Sequence, residues 1–207
     1  MADKKFGLLK GLTDLFYCEV EDTADEYKIV GEPEQLIPAG EMTASKSIEK
    51  TPFYFDNSMF DEVGQEAPSD LSFVGAAVRA AILAKLEGKK VDASTDAIID
   101  DGEWHRKYYA ISGTKNYTDG TSEHFWFLKC SFGGSEEAAK TKDDSTDANG
   151  STLPFTAYST VHKFEDGKPC KVVRIDTANT KIVEGGAWTK QVVTPDNIAT
   201  VCEKITA

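Results

Sequence analysis

Three histidines, three methionines, seven prolines and four cysteines are all that this 207-residue chain holds of those types. Each scarcity excludes something. His105, His124 and His162 stand apart in sequence and no H-E-x-x-H occurs, so the close, repeated ligand spacing of a metal site is missing. Cys18, Cys130, Cys170 and Cys202 include no C-x-x-C pair, and four reduced, mostly buried thiols are expected. No stretch approaches the ~20 apolar residues that span a bilayer. The opening residues carry two lysines and then leucines broken by Gly7 and Gly11, too short an apolar run for a secretory leader, so the product is expected to stay where it is made. No nucleophile elbow, phosphate loop or dinucleotide fingerprint is present, and Gly133-Gly134-Ser135 lacks the lysine or third glycine such a loop needs. Asp100-Asp101 and Asp143-Asp144 are adjacent acids in turns, solvated rather than poised as an acid–base pair. No enzyme, cofactor or metal is expected.

Positive charge is also short. There are 23 basic residues against 35 acidic ones, a formal net charge of -12. Tight nucleic-acid binding replaces counterions with Lys and Arg, and no dense basic cluster is present to do so. Hydrophobic residues nevertheless make up 40%, enough for one folded domain with a sizeable core.

What the chain does have is β patterning. Residues 1–13 read as an N-terminal arm: Phe6, Leu8, Leu9 and Leu12 are apolar, while Gly7 and Gly11 interrupt any helix. Four large apolar residues in a tail suit docking on a neighbour. Residues 15–20 and 27–30 are strand candidates around an acidic turn. Over 39–48, Met42, Ala44, Lys46 and Ile48 alternate with Glu41, Thr43, Ser45 and Ser47, the second set being a small polar face turned toward water. Residues 51–55 form another strand, and 57–68 a loop whose Met59, Phe60 and Val63 either pack down as a satellite cluster or meet a partner. One helix is predicted over about 75–87, with Val74, Val78, Ile82 and Leu86 recurring every fourth residue and Gly88 as its stop. A short strand is expected around 97–99.

Three hairpins are predicted after residue 100. Segments 103–111 and 123–132 join through Asp119-Gly120, and 153–164 and 170–176 join through Asp166-Gly167; Asp-Gly supplies the positive φ of tight turns. The third would pair 181–183 with Trp188. Residues 123–132 place His124, Trp126, Leu128, Cys130 and Phe132 on one face and Phe125 and Phe127 on the other, as expected of a strand covered on both sides. A short helix is expected within 195–205. The polar stretch 136–151 stands out between strands. The simplest architecture is mainly β (α+β), one antiparallel β domain over 14–207 with one flanking helix and long loops.

Several segments, in order and spacing, resemble the major tail protein of long-tailed, non-contractile bacteriophages of Gram-positive hosts. They are Gly11-Leu12-Thr13-Asp14-Leu15-Phe16-Tyr17-Cys18-Glu19-Val20-Glu21-Asp22-Thr23, then Ala39-Gly40-Glu41-Met42-Thr43-Ala44-Ser45, then the helix over 80–88 with Val91-Asp92-Ala93. The clearest part is Phe125-Trp126-Phe127-Leu128-Lys129-Cys130-Ser131-Phe132, followed by Glu136-Glu137, by Lys140-Thr141-Lys142-Asp143-Asp144-Ser145 and by Pro154-Phe155-Thr156-Ala157-Tyr158-Ser159-Thr160. The resemblance covers about residues 7–190; the part after 177 is the least similar. It implies an antiparallel β-sandwich of the tail-tube type. Subunits of that kind form hexameric rings that stack around a tape-measure protein, end on terminator and tail-tip proteins, and carry DNA in transit within the virion tail, after assembly in the host cytoplasm. Under that resemblance Phe6, Leu8, Leu9, Leu12, Met59 and Phe60 are candidate inter-subunit contacts. Glu41, Thr43, Ser45 and Ser47 are candidate lumen residues. The 136–144 loop is either a subunit contact or outer decoration. A monomeric β-sandwich binding module, of adhesin or carbohydrate-binding type, and the tube of a phage-like bacteriocin are the alternatives.

Overall fold

The computed structural model describes residues 7–92, 94–103, 105–134, 150–183 and 188–205. In chain order its elements are β1 (Leu9–Asp22), β2 (Tyr27–Gln35), β3 (Ala39–Ser45), β4 (Ile48–Phe55), β5 (Ser58–Glu66) and β6 (Ser69–Gly75). Helix α1 (Ala80–Glu87), β7 (Lys90–Val91), β8 (Ile98–Ile99), β9 (Tyr108–Tyr117), β10 (Ser122–Phe132) and β11 (Ser151–Ala157) follow. The chain then forms β12 (Val172–Asp176), β13 (Thr180–Ile182), α2 (Ile198–Val201) and β14 (Cys202–Lys204). The protein is mainly β, and among the described residues all strand pairs are antiparallel.

Eight strands make one sheet in the order β2-β1-β9-β10-β11-β6-β3, with β12 also on β10. The sheet folds over on itself in a sandwich-like way. Leu15 and Tyr17 of β1 share a core with Leu71 and Phe73 of β6, from the far side of the strand order. The N–H of Leu36 donates to the Leu15 carbonyl at 2.9 Å, drawing the β2–β3 connection across this core. Phe125, Phe127, Ile111 and Phe155 fill it, and Val78, Ile82 and Leu86 pack against it from α1 and the turn before it. A second core lies on the opposite face of β9 and β10, where Trp126, Leu128 and Ala110 meet Phe164, Trp188, Val192, Val193 and Val201. The expectation of a central strand covered on both faces is met by β10.

The assignment of faces along β10 is corrected. Cys130 and Phe132 join Phe125 and Phe127, not Trp126 and Leu128. Phe127 pairs with Ile111 but Cys130 pairs with Tyr109, so one extra residue is bulged out and the alternation flips. The bulge falls where β10 exchanges β12 for β11 as its neighbour: Leu128 N–H donates to the Lys171 carbonyl and Tyr158 N–H to the Lys129 carbonyl. Nothing in a period-two pattern announces such a switch.

Other expectations shift for local reasons. Strand β1 begins at Leu9 and pairs with β9, so 9–13 belong to the sheet and not to a free arm; register shifts beside Gly11 absorb the irregularity. Helix α1 starts at Ala80 and not at 75, because Gly75 is still held between Ser151 and Ala39 and the Val78 N–H donates to Ser151 Oγ. It ends as expected at Gly88, whose φ of 71° is the left-handed cap. The Asp166-Gly167 turn forms, yet β11 and β12 both pair with β10 and not with each other. Strand β13 pairs with β14, not with Trp188. His105 and His162 lie outside strands; His124 alone is on one. All four cysteines are free, and Cys18, Cys130 and Cys202 are buried.

Gly113 is fixed by packing. It pairs with Phe125, and a Cβ there would come within 2.5 Å of Phe125 Cζ and 3.0 Å of Leu15 Cδ2. Gly113→Ala is expected to lower unfolding stability by about 1–3 kcal/mol, the usual cost of overpacking. Chemical denaturation would read this, and an unchanged midpoint would show that the ring moves aside freely.

Candidate functional site

Strands β3 and β4 are separated by two residues, and so are β5 and β6. Their registers almost match: Ser45 faces Asp70 in the first pair and Ile48 faces Glu66 in the second, with Ala67 N–H donating to the Ser47 carbonyl at 2.9 Å between them. Together they form one long ribbon. Its base is embedded in the sheet beside β11, and its outer half, β4–β5, extends beyond it. Eight residues at a strand rise of ~3.4 Å give that outer half a length of about 27 Å.

The tip is a two-residue turn. Asp56 and Asn57 both have positive φ, 48° and 61°, as a type I′ turn requires, and these residue types tolerate it best after glycine. Every residue of β4 and β5 is exposed. On one face of the ribbon Thr51, Phe53 and Phe55 line up with Val63. The register shift beside Tyr54 brings Phe60 against Phe55, rings perpendicular at 5.2 Å. The other face carries Ile48, Pro52, Tyr54 and Met59 around a Lys50–Glu62 ion pair. Two-stranded hairpins are marginal in water on their own, and this one displays seven large apolar side chains.

The embedded half has a different character. Glu41, Thr43 and Ser45 are exposed on one face of β3, whereas Met42 between them packs against the first core. Across the ladder they continue as Val74 and Thr152, Ser72 and Pro154, Asp70 and Thr156. Hydroxyls and carboxylates dominate these rows, and no lysine or arginine stands in them. A shallow groove of about 280 Å³ runs over Thr43, Ser45, Asp70, Ser72, Pro154 and Thr156.

The structure therefore brings Met59 and Phe60 together on β5, and Glu41, Thr43 and Ser45 on β3, in one continuous ribbon. Ser47 is the exposed joint between its halves. The reading of 57–68 as a loop is corrected: Ser58–Glu66 is a strand, and its apolar residues do not pack down. Leu8 and Leu9 are exposed at the start of β1, a different element, where the Leu8 carbonyl accepts from Thr118 N–H. Leu12 is half-buried on the first core. Phe6 and the 136–144 segment lie outside the described residues. Sequence reasoning missed Phe53, Phe55 and Tyr54 as exposed groups; the signal was Asp56-Asn57 between two apolar runs.

No family model matches the chain, and no curated protein matches it either.

Elsewhere, Asp101, Glu103 and His105 bring ligand-type atoms within 4.8 Å of one another, which corrects the view of His105 as isolated. All three are exposed, and His105 Nε2 already lies 2.9 Å from Asp101 Oδ2. Burial lowers the His124 pKa and raises those of Cys18, to about 11, and Cys130. Such thiols are protonated near neutrality and poor nucleophiles. Among the described residues no helix is long and apolar enough to cross a membrane.

Proposed function

We propose that this chain is a structural subunit that assembles with copies of itself into hexameric rings, stacked as the tail tube of a long-tailed, non-contractile bacteriophage. The observation that carries the reading is the fully exposed β4–β5 ribbon. Its apolar surface has no place on the chain's own core, and an exposed apolar strand pair is a template for association. Docked between subunits, the ribbon would bury Phe53, Phe55, Phe60 and Val63. Heterologous contacts of this kind close into rings when the rotation between copies permits.

The polar face of β3, β6 and β11 then lines the interior. Its hydroxyls and carboxylates offer phosphate no counter-charge, so DNA in transit is repelled at short range and not retained. Tape-measure, terminator and tail-tip proteins are the other partners that the resemblance implies. In this role the chain is part of the virion tail and performs no catalysis.

Negative-stain microscopy of the concentrated full chain tests the proposal. Hollow rods or six-fold rings are the expected result. A strictly monomeric species at every accessible concentration would overturn it and favour a monomeric binding module. A map of the rods that put Glu41, Thr43 and Ser45 on the outer surface would reject the lumen assignment.

A further inference from the structure

The ribbon leaves the body at one joint, and a largely buried ammonium group, that of Lys171, is built into that joint. Lys171 lies just before β12, and its carbonyl accepts the N–H of Leu128 in the centre of the sheet. Its Nζ reaches Glu66 Oε1 at 2.9 Å, the Ala67 carbonyl at 2.7 Å and Ser69 Oγ at 3.4 Å. Glu66 is the last residue of β5 and Ser69 the first of β6. An ammonium has three N–H groups and no acceptor, and these oxygens take them up, two at normal hydrogen-bond length and Ser69 Oγ at a longer one. The Lys171 side chain is 9% exposed against 48% for Glu66, so the cation is the embedded end of the contact. Lys46, from the opposite joint of the ribbon, also approaches Glu66, at 3.9 Å.

Apart from this contact the joint holds the longer and more exposed Lys46–Glu66 pair. One ladder hydrogen bond, Ala67 to Ser47, crosses it. Pro68 keeps the backbone before it extended but donates no bond of its own. A two-stranded lever on such a joint would sample many directions.

We propose that Lys171 is the positioning residue of the β4–β5 ribbon, fixing the direction in which its apolar face is presented to a second copy of this chain. The part concerning presentation rests on the function proposed above; the part concerning direction does not. A lever held in one orientation pays its ordering cost before association, and affinity falls by the fraction of molecules pointing elsewhere.

The experiment uses the full chain with spin labels at Ser58→Cys, beside the tip, and Glu165→Cys, on the body, in a Cys170→Ser background. The remaining cysteines are buried. Pulsed dipolar spectroscopy should give one narrow distance with Lys171 present. Lys171→Met should at least double the width of the distribution with an unchanged circular dichroism spectrum. Glu66→Gln, which keeps the contacts to Ala67 and Ser69, should broaden it less and serves if the methionine variant does not fold. An unchanged width in both variants overturns the proposal. In parallel, the concentration at which sedimentable particles form should rise about tenfold for Lys171→Met. Broadening without that rise keeps the lock and counts against the ribbon's part in assembly, so the two ideas fail separately.

Discussion

Alanine at both Phe55 and Phe60 is expected to raise the assembly threshold about a hundredfold or more while leaving the subunit folded. The two rings pack edge to face, and the residues are 60% and 75% exposed. Removing them from the isolated subunit costs only their mutual contact, about 0.5–1.5 kcal/mol and confined to the ribbon. In an interface the same rings would be central aromatic anchors. Such residues typically cost at least about 2 kcal/mol each when truncated, a factor of roughly 30 in affinity per ring. Their effects need not add, because they are neighbours. The threshold for sedimentable particles should therefore rise by two orders of magnitude or more. Thermal unfolding should change little. Rods forming at the wild-type threshold would remove the aromatic face from the interface.

Lys129→Met should produce the largest loss of stability among single substitutions at polar residues. Lys129 stands at the β10 bulge, and its Nζ lies 2.6 Å from Asp22 Oδ2 and 4.6 Å from the centre of the Tyr108 ring. The Asp22 side chain is inaccessible to solvent. It also accepts the N–H groups of Val161 and His162 at 2.7 and 2.9 Å, tying the end of β1 to the segment that covers the second core. Removing the ammonium strands a buried carboxylate, which typically costs about 3–5 kcal/mol. Against a total of about 5–15 kcal/mol that is a large fraction. Lys129→Met combined with Asp22→Asn should recover part of the loss, since no charge is then left unpaired. Equal destabilisation by the double and the single variant would show that the ion pair itself is not what matters.

The same pair sets an acid limb. Burial pushes the Asp22 pKa up, but the hydrogen bonds from Lys129, Val161 and His162 outweigh it and hold the group below its usual 3.8. A carboxyl depressed by folding contributes stability above its unfolded pKa and loses it as pH falls through the folded value. The wild-type chain should give up this contribution only below about pH 3.8, and the methionine variant should show a flatter dependence there.

Much of the architecture could be read from local signals. Alternation placed β3 with its polar face outward, and Asp119-Gly120 placed the β9–β10 hairpin. Apolar residues on both sides of β10 foretold two cores. What could not be read depended on distant partners. A bulge at residues 128–129 is set by β12 and β11 competing for one strand, not by the residues it displaces. The choice of β14 as partner for β13 likewise links segments twenty residues apart. The ribbon was hidden for another reason. Asp61, Glu62 and Gly64 in β5 have low strand propensity, and only pairing with Ile48–Phe55 makes them a strand. Lys171 was invisible because its three partners are brought to it by the fold.

The β4–β5 ribbon is anchored at its base and closed at its tip, and its residues are all exposed in the subunit. Its reach is consequently independent of the core. Two residues added to each strand would extend it by about 7 Å and return every side chain to its own face. One residue added to each would turn the aromatic stripe over to the other side. Length in this part of the molecule is thus quantised: even steps keep the aromatic stripe on its own face, and odd steps reverse it.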